Sequence, residues 1–286
     1  GMTDLHVHAP QYTFRGLGMD LELLEWLQVH TFPEEAKYQD IIYARQAYSY
    51  FTEDLKNSFT TRACIFATLH REATLELMDQ LEKTGLITYV GKVNMDRNGS
   101  DELCEKSAEE SAKDTQVWLD ELAKRSYART MPILTPRFIP SCSDELMQKL
   151  SEIQKEYKLR VQSHLSENLS EIAWVKELVP ESSCYGQAYE MFDMLGDETY
   201  PAIMAHCVYS GEEEMELLKS HHTYIAHCPD SNFNVASGIA PIRKYLEYGI
   251  SVGFGCDVAG GASLSIPQSM AHAVEASKMY WRIKDQ

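Results

Sequence analysis

A chain of 286 residues with 44% hydrophobic content is long enough to bury one large core, either as a single α/β barrel or as two domains. A formal net charge of -17 opposes electrostatic binding to nucleic acid or an anionic membrane surface, so the expected partner is a small molecule, with no nucleic acid and no membrane. No apolar run approaches the roughly 18 residues of a membrane span and no signal-peptide pattern opens the chain, which sets the expectation of a cytoplasmic protein; the 7 cysteines, odd in number and without a Cys-x-x-Cys pair, fit reduced buried thiols better than a disulfide framework.

Short β-like runs alternate with amphipathic, helix-like segments, the mark of parallel βαβ units. Strands are predicted near 3–8, 61–68, 86–93, 130–135, 159–164, 201–206, 222–227 and 250–256. Helices are predicted near 34–57, 71–84, 101–126, 144–157, 168–195, 211–220, 239–248 and 265–281. Eight such units point to an α/β chain folded as one (β/α)₈ TIM barrel over residues 1–286. An open doubly wound sheet is the alternative, but its Gly-rich phosphate turn after the first strand is replaced here by His-Ala-Pro-Gln. The acidic runs Glu105 to Asp114 and Glu212 to Glu216 read as solvated outer helix faces.

Alternate side chains of a strand share a face, so His6 and His8 point the same way and form a natural pair of imidazole donors for one metal ion. His164, His206 and Asp257 each close a later apolar run. In a barrel the C-terminal strand ends form one face, so these five residues, distant in sequence, are brought to one mouth. Singly, His164 or His206 reads as an ordinary polar residue at a strand end; the set is what points to a metal. Nitrogen and oxygen donors without paired thiolates suit Zn²⁺ or Fe²⁺. Asp4 shares the inward face with His6 and is expected to support the pair from below, while His70 and His227, also at strand ends, read as supporting partners.

The ordered set His6-x-His8, His164, His206, Asp257 resembles the metal-dependent amidohydrolase superfamily. Finer motifs are similar to those of the guanine deaminases within it: His-Ala-Pro-Gln at 8–11, Thr-Pro-Arg-Phe at 135–138, Ser-His-Leu-Ser-Glu at 163–167, Ala-His-Cys-Pro-Asp-Ser-Asn at 226–232 and Asp-Val-Ala-Gly-Gly at 257–261. The resemblance implies one zinc ion per chain, with iron(II) as the alternative, held by His6, His8, His164, His206 and Asp257. It implies a purine substrate held by Gln11, Arg137 and Phe138 beside His164, and Glu167 as proton shuttle with Asp257 taking the proton of the attacking water. The reaction it implies is hydrolytic deamination of guanine to xanthine and ammonia, by an enzyme that forms a homodimer. The residue types suit these roles, since a neutral ring is gripped by a guanidinium on a carbonyl, an amide on ring donors and acceptors, and an aromatic surface. Taken alone, Arg137 also fits a structural ion pair, Phe138 the core, and Glu167 a helix N-terminal acid.

Two features depart from the family pattern. Members usually carry a small β-sandwich domain built from residues before the first strand and after the last helix; this chain starts at the first-strand motif and ends about one helix past Asp257. The expectation is a barrel shortened at both ends, with an apolar face left open to association. Cys207 follows His206 and Cys256 precedes Asp257, where many relatives carry Gly and Thr, setting a thiol beside two of the donors. Residues 131–138 contain no Lys, which a carboxylated binuclear centre would need, so one metal is the expected count. Other readings stay open: a deaminase or chlorohydrolase acting on another purine, a pyrimidine, a pterin or a triazine, and a catalytically silent metal- or purine-binding barrel.

Overall fold

Eight parallel strands carry the buried apolar runs: β1 Met2–His8, β2 Thr60–Phe66, β3 Ile87–Gly91, β4 Thr130–Pro132, β5 Val161–Leu165, β6 Ala202–His206, β7 Tyr224–His227 and β8 Val252–Phe254. The structure, a computed structural model, describes residues 1–284. The strands form two four-stranded sheets, β1-β2-β3-β4 and β5-β6-β7-β8, each in sequential parallel order. Two seams draw the sheets into a barrel. At one, Leu134 bridges Val161, with Leu134 N donating to Arg160 O and Gln162 N donating to Leu134 O, both at 2.9 Å. At the other, Asp257 N donates to His6 O at 2.9 Å and His8 N to Val258 O at 3.2 Å. A Cβ at Gly255 would stand 2.8 Å from both His6 Cβ and Cys228 Sγ, so only glycine lets the chain pass this close to β1.

Eight principal helices follow the strands: α1 Ile41–Lys56, α2 Arg71–Thr84, α3 Ala108–Ala123, α4 Asp144–Tyr157, α5 Leu169–Leu178, α6 Glu212–Ser220, α7 Ile242–Tyr248 and α8 Ile266–Lys284. Their limits are written locally. In α4, Ser143 Oγ accepts from Leu146 N at 3.1 Å, and the helix stops where Lys158 turns left-handed at φ 54°. Leu146, Met147, Leu150 and Ile153 form its buried stripe, each contributing about 1.5–3 kcal/mol of apolar burial. The core they join also takes in Tyr48, Phe51, Leu77 and Trp118, with a smaller cluster of Phe32, Phe66, Val93, Met95 and Leu103 beside it.

The strand predicted near 86–93 is interrupted after Gly91, because Lys92 turns fully inside to an ion pair with Glu105 at 2.5 Å. Val93–Asn94 then pairs with Thr135–Pro136. The helix predicted near 168–195 is two helices, α5 and a short Tyr185–Glu190, since Pro180 has no N–H to continue the ladder. The predicted starts at 34 and 101 move to Ile41 and Ala108, where the Asp40 and Ser107 side chains cap α1 and α3. Residues 9–40 instead make short helical turns, and Leu23, Trp26 and Leu27 from them wall the mouth of the barrel. Leu246, Val274, Trp281 and Ile283 on α7 and α8 are exposed. Among the described residues no helix is long and apolar enough to cross a membrane.

Candidate active site

The strand-end residues do meet. His6, His8 and His164 form one group of converging donor atoms and His6, His206 and Asp257 another, with the atoms in each within 4.8 Å of one another. His8 Nε2 lies 3.2 Å from His6 Nε2 and 3.1 Å from His164 Nε2, and Asp257 Oδ1 lies 3.1 Å from His6 Nε2. Donors bonded at about 2.0–2.1 Å and near-tetrahedral angles around one ion would stand about 3.3 Å apart, so the spacing fits a metal.

The tautomers fit as well. His164 Nδ1 lies 2.7 Å from Arg137 O and His206 Nδ1 lies 2.9 Å from Asn232 Oδ1. Each partner accepts, so each Nδ1 carries the proton and each Nε2 turns its lone pair to the centre. Burial first, then the neighbouring His6, holds the His8 and His164 imidazoles well below the usual histidine range and therefore neutral. Burial works to raise the Asp257 carboxyl, but the facing histidines, His6 first through its electrostatic pull and hydrogen bond, hold it far below the ordinary carboxylate range.

Beneath them Asp4 Oδ1 accepts from His6 N at 3.2 Å and Cys256 N at 3.1 Å, tying β1 to the end of β8. His206, Cys207 and Asp257 all have positive φ, at 71°, 48° and 46°. Such strain costs on the order of 1–3 kcal/mol per residue and turns the chain out of the strand at the mouth.

Glu167 follows β5 and is buried beside the donors. Its Oε2 lies 3.3 Å from His206 Nε2, and its Oε1 accepts from Ser237 Oγ at 3.0 Å. Burial, then the facing Asp257 carboxylate, pushes its carboxyl well above the usual range, so it holds a proton while Asp257 does not. Two carboxyls driven apart in this way suit a proton donor and a proton acceptor.

Gln11, Arg137 and Phe138 line the same cavity as His8, His164, Glu167, His206 and Asp257. Gln11 Nε2 donates to Glu35 Oε1 at 2.9 Å and its Oε1 accepts from Ala259 N at 3.2 Å. Arg137 makes the ion pair that its residue type alone allowed: Nη1 and Nη2 donate to Glu35 at 2.5 and 3.0 Å, with the Phe32 ring 5.1 Å away. Phe138 is buried against Trp174 yet forms cavity wall, so it belongs to core and pocket at once.

Other expectations are corrected. His70 lies outside the cavity, and its Nε2 has no hydrogen-bond partner. Neither ring nitrogen of His227 has one, so it braces no donor, and burial followed by His206 lowers its pKa to about 3. The thiols beside His206 and Asp257 do not join the donor groups. Burial raises both far above the ordinary thiol range, with Glu214 adding at Cys207 and Asp4 at Cys256.

Four residues of the site escaped sequence reading: Glu35, Glu171, Asn232 and Ser237. Asn232 closes the Ala-His-Cys-Pro-Asp-Ser-Asn motif without a role having been read for it, and Glu171 left a local trace of another kind. Asn168 and Glu171 form the Asn-x-x-Glu capping box of α5, and Glu171 Oε2 accepts from Glu167 N at 3.0 Å and Asn168 N at 3.3 Å.

A family model described as the amidohydrolase family matches residues 1–286. A guanine deaminase of Dictyostelium discoideum is 41% identical over 281 residues, which are 98% of this chain and 62% of that protein. One of Homo sapiens is 39% identical over 279 residues, 98% of this chain and 61% of that protein. The crystal structure of guanine deaminase from C. acetobutylicum with bound guanine in the active site is similar with a TM-score of 0.94 and 48% identity, covering 99% of this chain and 66% of that one. This chain therefore spans 61–62% of the length of those two curated relatives.

Proposed function

We propose that this chain, which belongs to the amidohydrolase family, removes the exocyclic amine of guanine by hydrolysis, giving xanthine and ammonia. The family is metal-dependent, and the reading assigns one ion, zinc before iron(II), to His6, His8, His164, His206 and Asp257. When bound, that ion supplies a water whose pKa falls from about 15.7 to about 7, and with it a nucleophile at neutral pH. The observation that carries the reading is that Gln11, Arg137 and Phe138 line one cavity with His8, His164, His206, Asp257 and Glu167, while His6 stands among the same donor atoms. Similarity to a guanine deaminase crystallised with guanine bound adds to it.

Each side chain has a part in this reading. Phe138 offers a face to the ring, while Gln11 and Arg137 meet its polar edge and orient the amine-bearing carbon toward the donor cluster. Asp257, ionised, accepts the proton shed by the attacking water. Glu167, protonated, donates at the adjacent ring nitrogen and so leaves the carbon open to attack; the proton taken up by Asp257 then passes to the amine, which departs as ammonia as the new hydroxyl gives its proton back to Glu167 and becomes the carbonyl. Leu23, Trp26 and Leu27 keep the cavity apolar on its outer side and limit competing water.

Ammonia release from guanine by the zinc-loaded protein tests the proposal, with Glu167→Gln as the blank and 2,6-diaminopurine, adenine, a pterin and a triazine alongside. Release from guanine that the substitution abolishes is the expected result. Release only from another ring would keep the hydrolytic chemistry and overturn the roles of Gln11 and Arg137. No release from any compound with metal bound would overturn the assignment.

A further inference from the structure

Glu35 is buried to 1% exposure, and no step of the proposed reaction uses it. It stands behind Gln11 and Arg137, in the short helix Phe32–Ala36, and takes hydrogen bonds from both. A carboxylate only accepts and a peptide N–H only donates, so Glu35 at one end and Ala259 N at the other fix which end of the Gln11 amide is nitrogen. Toward the cavity the amide is left with one N–H and one oxygen lone pair in a fixed order. The guanidinium is pinned in the same way: its fork is engaged by Glu35, and only its remaining N–H groups can serve a ligand.

We propose that Glu35 is the positioning residue that sets which purine is accepted. By fixing the polarity of Gln11 and the direction of Arg137, it builds a reader for a ring edge bearing a carbonyl beside a ring N–H. A ring presenting an amino group beside a bare nitrogen on that edge meets donors with a donor and is turned away. The inference rests on the deaminase reading of the same cavity and adds to it the residue that makes the reading selective.

Glu35→Gln and Glu35→Asp in the metal-loaded protein test this. In Glu35→Gln the side chain keeps its size but can turn a donor toward Gln11 or Arg137, releasing the amide. Expected are a rise in KM for guanine of about 10- to 100-fold with kcat held within about threefold. The preference for guanine over 2,6-diaminopurine, which presents an amino group at C6 beside a bare N1, falls at least about tenfold, and calorimetric binding of xanthine weakens in parallel. Glu35→Asp, still a pure acceptor, restores part of the preference. An unchanged preference, or a uniform loss of kcat and metal content for both substrates, would overturn the proposal. If the unsubstituted protein binds guanine but releases no ammonia, the deaminase reading fails, and the positioning role stands or falls on whether Glu35→Gln weakens guanine binding. Absence of both binding and turnover would sink the two together.

Discussion

Replacing Glu171 with Gln separates charge from shape at the base of the Glu167 loop. Glu171 is buried at 1% exposure, its Oε2 holding Glu167 N and Asn168 N and its Oε1 accepting from Tyr185 Oη at 2.8 Å. Burial, followed by the nearby Glu167, raises its pKa from 4.5 to about 7, against the pull of these hydrogen bonds. A carboxyl whose folded pKa lies above its unfolded one keeps its proton longer in the native state. The stability it confers is therefore complete below about pH 4.5 and is lost as pH rises through about 7. At 1.36 kcal/mol per unit the whole effect is roughly 3 kcal/mol, of which about 2 kcal/mol disappears between pH 5 and pH 8. Gln keeps the shape: its oxygen serves the two backbone donors, and its amide nitrogen donates to the Tyr185 hydroxyl, which accepts as readily as it donates. Urea denaturation of the two metal-loaded proteins should give equal stability within about 1 kcal/mol at pH 5, with Glu171→Gln the more stable by about 2 kcal/mol at pH 8. Titrating groups that do not interact with Glu171 cancel in the difference between the proteins. Stabilities that move in parallel with pH would refute the reasoning and return Glu171 to the ordinary role of a helix-start acid.

Two further substitutions probe the same site. Arg137→Leu leaves Glu35 buried without its counter-ion, so urea denaturation should show a loss of about 3–5 kcal/mol, together with loss of guanine turnover and retention of metal. Adding Glu35→Gln to Arg137→Leu should recover part of that loss; strict additivity of the two changes would mean the pair is not coupled. Asn232→Ala frees His206 Nδ1 and should weaken metal binding by about 10- to 100-fold in chelator competition, with unaltered affinity counting against Asn232 as the residue that fixes the His206 tautomer.

What the sequence disclosed follows from how local each signal is. His6 and His8 were legible because strand period alone puts them on one face, and His164 and His206 because each stands at the end of a predicted strand. The alternation of runs carried the eight-stranded order, but it could not show that α5 ends before Pro180 with a second short helix beyond, nor that Lys92 leaves its strand for Glu105. Glu35 was beyond reach for a different reason. Its partners lie 24 and 102 residues away, and in sequence it is one of two adjacent acids after a proline. Its neighbour Glu34 is only partly buried and pairs with Lys37, Tyr43 and Thr13. The same local pattern thus serves a surface ion pair and a buried anchor, and only the packed barrel distinguishes them.

A strand that ended in ordinary extended geometry would leave the residue after it alternating away from the mouth. His206 and Asp257 instead take left-handed φ, a conformation that glycine adopts freely and that Asn, Asp and His tolerate better than most residues. A glycine at either place would relieve the strain and remove the donor. Keeping the donor there means that the surrounding structure holds the conformation: the Asp257 N to His6 O bond at one position, and the Cys207 N to Leu165 O bond beside the other, both at 2.9 Å. The first of these bonds lies at the seam between β8 and β1 and the second joins β6 to β5 within one sheet, so the same cross-strand contacts that hold neighbouring strands together also aim the donors. Losing either should loosen the donor cluster before it loosens the core, because the apolar stripes that stabilise the helices lie on the outer side of the strands.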